Sequence, residues 1–429
     1  MNNFKRLSLL SVATCGLAAA PALAQTGNNY YSRDKYEAVM DRRQPEFDPE
    51  PIRLGAFLVD ATGVVGATST SNAYATPNNE QSDVIARIGT TIHARTNWSV
   101  HEVGADVSAY RNEYLDLSDE SFNDIRASLR GRLDVTRDFS VGGRAFVEDR
   151  VEQRTDPANS VGLISPVKFN RTGVEGQATY WNDRFRWNSS VSIADVNYKD
   201  GVQAGTNAVV DQDYRDRTDT FGFSRLSYAV SPNLAVFGQA TVNKQDYKNA
   251  ELIGGSLRKR DSDGYTVAGG VDFELTSLIR GDIAVGYMSE NKKDNFFKDV
   301  DGLSIDGQMQ WFPSRLTTVS FNANRRVVDV GSFESPSAIA TNFRAQVDHE
   351  LYRNIVLSGY GGTTKYDYQE IDRSDDVLDF GVSGIYKLNK RVHVEGFLRH
   401  LNRDVSGSAV LFDQNYDVNL IGVELRLHP

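Results

Sequence analysis

Along most of this 429-residue chain apolar and polar residues alternate one by one, and beyond residue 24 no apolar run reaches the roughly 20 residues that a membrane-crossing helix needs. From Asp124 to Val135, the residues Ile125, Ala127, Leu129, Gly131, Leu133 and Val135 fall on one side, and Asp124, Arg126, Ser128, Arg130, Arg132 and Asp134 on the other. Leu303, Ile305, Gly307, Met309 and Trp311 alternate with Ser304, Asp306, Gln308 and Gln310, and the run from Tyr265 to Leu275 repeats the pattern. Successive side chains of a strand point to opposite faces, so each run predicts a β-strand with one greasy and one wet face. Windowed hydropathy does not detect such strands, because the wet face cancels the greasy one.

How the runs are joined decides what covers the greasy faces. Short turns are predicted at Thr96-Asn97, Arg137-Asp138, Asn182-Asp183, Pro232-Asn233, Thr276-Ser277, Pro313-Ser314, Arg353-Asn354 and Asn389-Lys390. Long connections rich in Asp, Asn and Ser fill 70–83, 111–121, 151–165, 199–216, 245–261, 290–300, 327–340, 363–375 and 402–414. The two kinds alternate, so eight short turns and nine long loops join eighteen strands with both chain ends on the short-turn side. This predicts an all-β fold, a transmembrane antiparallel up-and-down β-barrel of about 18 strands with short periplasmic turns and long extracellular loops. A secreted soluble sandwich explains the alternation but not the two-sided asymmetry of the loops.

The expected surroundings are outer-membrane lipid and lipopolysaccharide. Trp98, Phe139, Trp181, Phe185, Trp187, Trp311, Phe312 and Tyr352 gather beside the short turns and are expected to form a girdle where lipid meets water. The last strand places Ile421, Val423, Leu425 and Leu427 on one face and is similar to the terminal strands that the barrel-insertion machinery reads, although it ends Leu427-His428-Pro429 without an aromatic residue.

At the N-terminus, Lys5 and Arg6 precede an apolar run from Leu7 to Ala20, followed by Pro21 and Ala22-Leu23-Ala24. That order predicts a secretory signal peptide over 1–24, cut before Gln25. The one cysteine, Cys15, falls within it after too short an apolar stretch for a lipid anchor, so the mature chain is expected to hold no disulfide, thiolate metal site or cysteine nucleophile. Residues 1–24 contain two basic and no acidic side chains, so their removal takes the net charge from −10 to about −12, which argues against nucleic acid as a partner. Gln25 to Pro51 is predicted as an extended periplasmic arm, because Pro45, Pro49 and Pro51 with alternating charge around them cannot enter a sheet interior. The arm either engages a periplasmic partner or is a plain leader, and the barrel is expected over 52–429.

The run Arg43-Gln44-Pro45-Glu46-Phe47-Asp48-Pro49, leading through Ile52-Arg53-Leu54-Gly55-Ala56-Phe57 into the first strand, resembles the proteobacterial "putative beta-barrel porin 2" group, and so does Asn72 near that strand's outer end. The chain departs from the group's pattern at Glu50-Pro51 and at Thr70-Ser71-Asn72. The resemblance implies an outer-membrane pore associated with export of an exopolysaccharide, working beside a periplasmic polysaccharide-export protein. A general diffusion porin for small hydrophilic solutes is the alternative, and a barrel closed by its own loops a third.

For a lumen this wide, side chains alone do not fill the interior, so a water-filled or loop-plugged channel is expected. Arg126, Arg130 and Arg132 form a ladder on one strand, continued by Arg144 and Arg150 on the next. They are either a basic track for an anionic polymer or partners of Asp124, Asp134 and Glu148 that stiffen the wall. Tyr360 is a candidate sugar-stacking face, and the loops 199–216 and 327–340 are candidate plugs. His93, His101, His349, His393, His400 and His428 are scattered, and neither His-Glu-x-x-His nor Gly-x-Ser-x-Gly occurs, so no enzyme, metal site or cofactor is expected. Asp261-Ser262-Asp263-Gly264 and Asp299-Val300-Asp301-Gly302 look like the start of a calcium loop but run straight into strands, which is turn chemistry.

Overall fold

The computed structural model describes residues 37–159, 162–276, 278–330, 335–408 and 414–429, so the predicted signal peptide and the first part of the arm lie outside the described residues. Eighteen long strands follow one another in chain order. Strands β1 to β6 are Phe57–Thr70, Asp83–Thr96, Glu102–Tyr114, Phe122–Asp134, Phe139–Val151 and Lys168–Trp181. Strands β7 to β12 are Phe185–Tyr198, Arg217–Ser231, Leu234–Tyr247, Ser262–Leu275, Ile279–Lys292 and Val300–Ser314. Strands β13 to β18 are Thr317–Asp329, Ser337–Tyr352, Ile355–Tyr368, Ser374–Lys387, Val392–Ser406 and Tyr416–Leu427.

Each strand pairs antiparallel with the next, and β1 closes the ring by pairing Gly63–Thr70 with Leu420–Leu427 of β18. Below Gly63, where β18 has ended, Ile52–Leu54 folds back onto Phe57–Val59 and occupies the vacant edge of β1. The reversal passes through Gly55 at φ +60°, a conformation glycine adopts without steric cost. The chain therefore folds into the expected closed eighteen-stranded barrel. Among the described residues no helix is long and apolar enough to cross a membrane, and strands do the crossing instead.

Alternation then sorts the side chains. Ile88, Leu129, Val174, Val191, Val285 and Val382 are among the large apolar residues left exposed on the outer wall, Leu129 at 66%. A belt of this kind around the whole barrel is stable against lipid and not against water. Much of the apolar packing that faces inward lies at the outer end of the lumen, in clusters such as Val330, Ala338, Ala340, Tyr366, Tyr368 and Val377, or Leu401, Tyr416 and Val418, with a smaller cluster of Phe237, Ala268 and Ala284 further in.

Three expectations need correction. Trp98, Trp181, Phe185, Trp311 and Tyr352 are exposed near the short turns as predicted, but Phe312 is 2% exposed and lies 4.9 Å from the Arg280 guanidinium. Adjacent residues of a strand cannot share a face, so Trp311 takes the lipid side and Phe312 turns in. The turn predicted at Pro313-Ser314 forms at 315–316, because β12 runs on to Ser314 through a register shift after Trp311, an irregularity that tolerates a residue without an N–H. Several outer loops are shorter than predicted, 369–373 in place of 363–375 and 330–336 in place of 327–340. Crossing the bilayer takes about 9–11 residues per strand, and strands of 12 to 16 residues continue past it into water, where both faces are polar and the sequence looks like loop.

Leu129→Arg, on the lipid side of β4, is expected to destabilise the barrel by about 2–4 kcal/mol, whereas Ser128→Arg on the lumen side costs much less. Urea unfolding after refolding into vesicles checks the difference.

Candidate functional site in the lumen and its mouths

Register fixes which charges meet inside the barrel. On β4, Arg126 pairs with Asp124 at 2.9 Å and Arg132 with Asp134 at 3.1 Å, while Arg130 turns to β3, reaching Glu102 at 3.3 Å and also Asp106. All three are thus paired with carboxylates of the wall, Asp124 and Asp134 as expected and Glu102 and Asp106 in addition. Glu148 reaches Arg171 of β6, at 4.0 Å, and not an arginine of its own strand. Arg144 and Arg150 pair with no carboxylate among the described residues, and their guanidiniums lie 5.0 Å from the Phe146 ring and 5.8 Å from the Phe169 ring. The Arg126 side chain faces inward yet is 45% exposed, so the lumen is open to water at its level.

Tyr360 also faces the lumen, but one side of its ring is covered by the Arg344 guanidinium at 3.8 Å. Its hydroxyl donates to Asp379 at 3.1 Å, and Asp379 in turn accepts from Arg399 at 2.9 and 3.1 Å. A stacking platform is thereby reduced to a single face.

Contacts between strands that are not neighbours span the outer mouth. Arg217 at the start of β8 is 2% exposed and bridges to Asp329 at the end of β13, 3.0 Å away, and Asp329 also accepts from the Tyr247 hydroxyl of β9 at 2.7 Å. The loop 152–167, described over residues 152–159 and 162–167, also reaches inward at this end. Its Glu152 forms a fully buried pair with Arg215 of the loop 199–216, its Arg154 binds Glu120 at 2.5 and 3.0 Å, and its Thr155 carbonyl accepts from Tyr416 of β18 at 3.1 Å. The loop 199–216 is among those that fill this end, through Tyr214, Gln212 and Arg215. The ends of 327–340 are buried as well, at Val330, Ser335 and Ser337. The part played by 152–167 was not visible in the sequence.

Within that loop Asp156 is buried, and one of its carboxylate oxygens has no hydrogen-bond partner. Burial, reinforced by the Glu152 carboxylate, pushes its carboxyl up to about 7, opposed by the Ala158 N–H and by Arg215 and Arg403. Burial likewise raises the carboxyl of Glu120, against the pull of Arg154.

The inner mouth carries the arm. The described part, from residue 37 on, does not trail into the periplasm but follows the inner rim from β1 back to β13. Glu50 meets Lys390, Asp48 meets Lys387 at 2.8 Å, Glu46 meets Arg353 at 3.5 Å, and Arg42 meets Glu350 at 2.5 Å. His393 donates to the Phe47 carbonyl at 2.9 Å, and the Val39 N–H donates to Thr318 at 3.0 Å with Val39 buried. The alternating charge that excludes this segment from a sheet is what fastens it to the rim.

The histidines are less scattered than the sequence implies, since the rings of His393 and His428 lie 4.8 Å apart at the inner rim. His349 faces the lipid side beside a short turn, in contact with Thr317 at 3.0 Å. The two candidate calcium segments make turn bonds, with Asp261 accepting from the Tyr247 N–H and Asp299 from the Lys292 N–H. Asp200, Asp211 and Asp213 bring three exposed carboxylates within 4.8 Å on the loop 199–216, a group that the sequence reading did not single out; Asp200 and Asp211 accept the Gln212 and Asp213 N–H groups.

The model of the family described as "Putative beta-barrel porin 2" matches residues 44–428. No curated protein sequence matches the chain. Among solved structures, Pseudomonas aeruginosa OccK2 (OpdF) in complex with glucuronate is similar at TM-score 0.46 and 8% identity, over 86% of this chain and 98% of that one. A BenF-like porin from Pseudomonas fluorescens Pf-5 is similar at TM-score 0.46 and 10% identity, over 86% and 99%. The copper transporter OprC is similar at TM-score 0.49 and 11% identity, over 89% and 82%. Likeness at this level says nothing about what passes through the barrel.

An acid with a pKa of about 7 when packed and 3.8 when solvated holds more protons packed than open between those values. The loop 152–167 is therefore bound most firmly at the acid end of that window and less firmly as pH rises toward 7. Hydrogen exchange of residues 152–159, corrected for the intrinsic rate, is expected to speed up across this range, and Asp156→Asn is expected to reduce the dependence to the part carried by Glu120.

Proposed function

The chain belongs to the "Putative beta-barrel porin 2" family, and from that premise we propose that its barrel is the conduit by which an exopolysaccharide leaves the cell, together with periplasmic export proteins. The protein is an outer-membrane β-barrel and a porin-like channel. The polymer-export reading is carried by one observation, the bridging of the outer mouth by Arg217–Asp329, Glu152–Arg215 and Tyr416–Thr155. A diffusion porin for small solutes works with its mouth open, whereas a conduit for one polymer is best kept shut until its cargo arrives. A wall of charged and amide side chains suits a hydrated glycan, which slides past them by exchanging hydrogen bonds with water. The arm on the inner rim lies where a periplasmic partner delivering the polymer would dock. No catalytic step is assigned to the chain.

Deleting the gene is expected to abolish surface and released polysaccharide, with restoration from a plasmid. Unchanged polysaccharide overturns the reading and leaves the general diffusion porin, to be followed by solute uptake. The closed mouth is tested separately by Arg215→Ala, which leaves Glu152 buried without its partner at a cost on the order of 3–5 kcal/mol. Higher single-channel conductance than the unaltered protein is expected in planar bilayers.

A further inference from the structure

Most lumen arginines carry their own carboxylate; Arg144 and Arg150 of β5 do not, Arg171 of β6 reaches one only at 4.0 Å, and away from this patch Arg326 of β13 faces Asp306 without forming an ion pair. The register Arg144↔Glu175, Glu148↔Arg171 and Arg150↔Phe169 places Arg144, Arg150 and Arg171 in one patch of the inner wall. Neither Arg144 nor Arg150 forms an ion pair or a hydrogen bond among the described residues, and the Nε of Arg150 is buried without an acceptor. Of the two carboxylates in the patch, Glu148 reaches Arg171 at the limit of pairing, 4.0 Å, and Glu175 is opposite Arg144 but beyond that limit, with one oxygen unpartnered.

What holds these cations is aromatic. Arg144 and Arg171 each lie 5.0 Å from the centroid of the buried Phe146 ring, and Arg150 lies 5.8 Å from Phe169, itself stacked on Tyr198 at 5.3 Å. A ring attracts a guanidinium without neutralising it and leaves N–H donors for an oxyanion, which arginine can bind through two parallel hydrogen bonds. On β10 to β12 the balance reverses: they carry Asp272, Glu274, Asp282, Glu290 and Asp306 with Arg280 and Lys292, faced by Arg225 of β8. An anionic chain in the barrel is therefore drawn to β5 and β6.

We infer that Arg144 and Arg150, with Arg171 beside them, form a binding site for the oxyanions of an acidic glycan, carboxylate or phosphate. This rests on the conduit reading above and specifies the charge class of its cargo. The test is calorimetric titration of the detergent-purified full-length protein at low salt with oligogalacturonate, with polyphosphate and with malto-oligosaccharide of matched length. One of the two anions is expected to bind and the neutral sugar is not. The better anion identifies carboxylate or phosphate as the charged group.

Arg144→Gln combined with Arg150→Gln is expected to weaken anion binding by about tenfold or more, which is at least about 1.4 kcal/mol. Equal affinity for acidic and neutral oligomers, or unchanged anion affinity in the double variant, overturns the inference. Should the variant not fold, the unaltered protein still decides, because the anion's affinity must fall as ionic strength rises and indifference to salt overturns the site. A deletion strain with normal polysaccharide refutes the conduit without affecting this titration, and a charge-blind wall refutes the site without affecting the conduit.

Discussion

Everything in this structure depends on backbone groups in lipid finding partners within the protein. An unpaired N–H or C=O in hydrocarbon costs several kcal/mol, so a sheet that crosses a bilayer must have no free edge. Pairing of β1 with β18 provides that closure, and Ile52–Leu54 covers Phe57–Val59 at the end of β1 that β18 does not reach. Once the ring is closed, alternation forces half the side chains into lipid and half into an enclosed interior. The lumen chemistry follows from the closure and needs no separate cause.

The interior then has its own electrostatic problem. Charges enclosed by the barrel and its loops are stable when paired, and the outer mouth uses that fact, with Arg215 and Glu152 holding two loops together and Arg217 and Asp329 holding two distant strands. Such pairs specify geometry more than they add stability, since their attraction is largely offset by lost hydration. A mouth bridged this way is definite in shape, while the pairs themselves add little net stability. The arm applies the same chemistry at the inner rim with partners closer to water, where each pair contributes little and the set of them fixes the path of the chain.

Much of this was legible in the sequence because period two survives in any strand with unlike faces. It located the strands, the alternation of turns and loops, and the inward arginines of β4 and β5. The same parity would have found Arg171 and Glu175 on β6, and it would have separated Trp311 from Phe312 had it been applied to neighbours one at a time. What it could not reach lies where no period operates. Glu152 and Arg215 are 63 residues apart on irregular loops, and Tyr416 meets Thr155 at a separation of 261, so neither contact leaves a trace in local pattern. The arm misled for a related reason: its prolines forbid a strand, but nothing local says that its charges are complementary to Lys387, Lys390 and Arg353 more than 300 residues away.

The seam between β1 and β18 also dictates an order of events. It joins the first long strand of the barrel to the last, and no ring exists until the C-terminal strand has been made, so the most non-local contact in the chain is also the one that completes it. Until then both margins of the growing sheet would recruit any passing strand. The hairpin at Gly55 lessens that hazard, because Ile52–Leu54 can cap the lower margin of β1 from its own side of the chain before β18 arrives. The stretch beyond Val59 is left to be claimed, and the register of Gly63–Thr70 within it selects the strand that ends at Leu427.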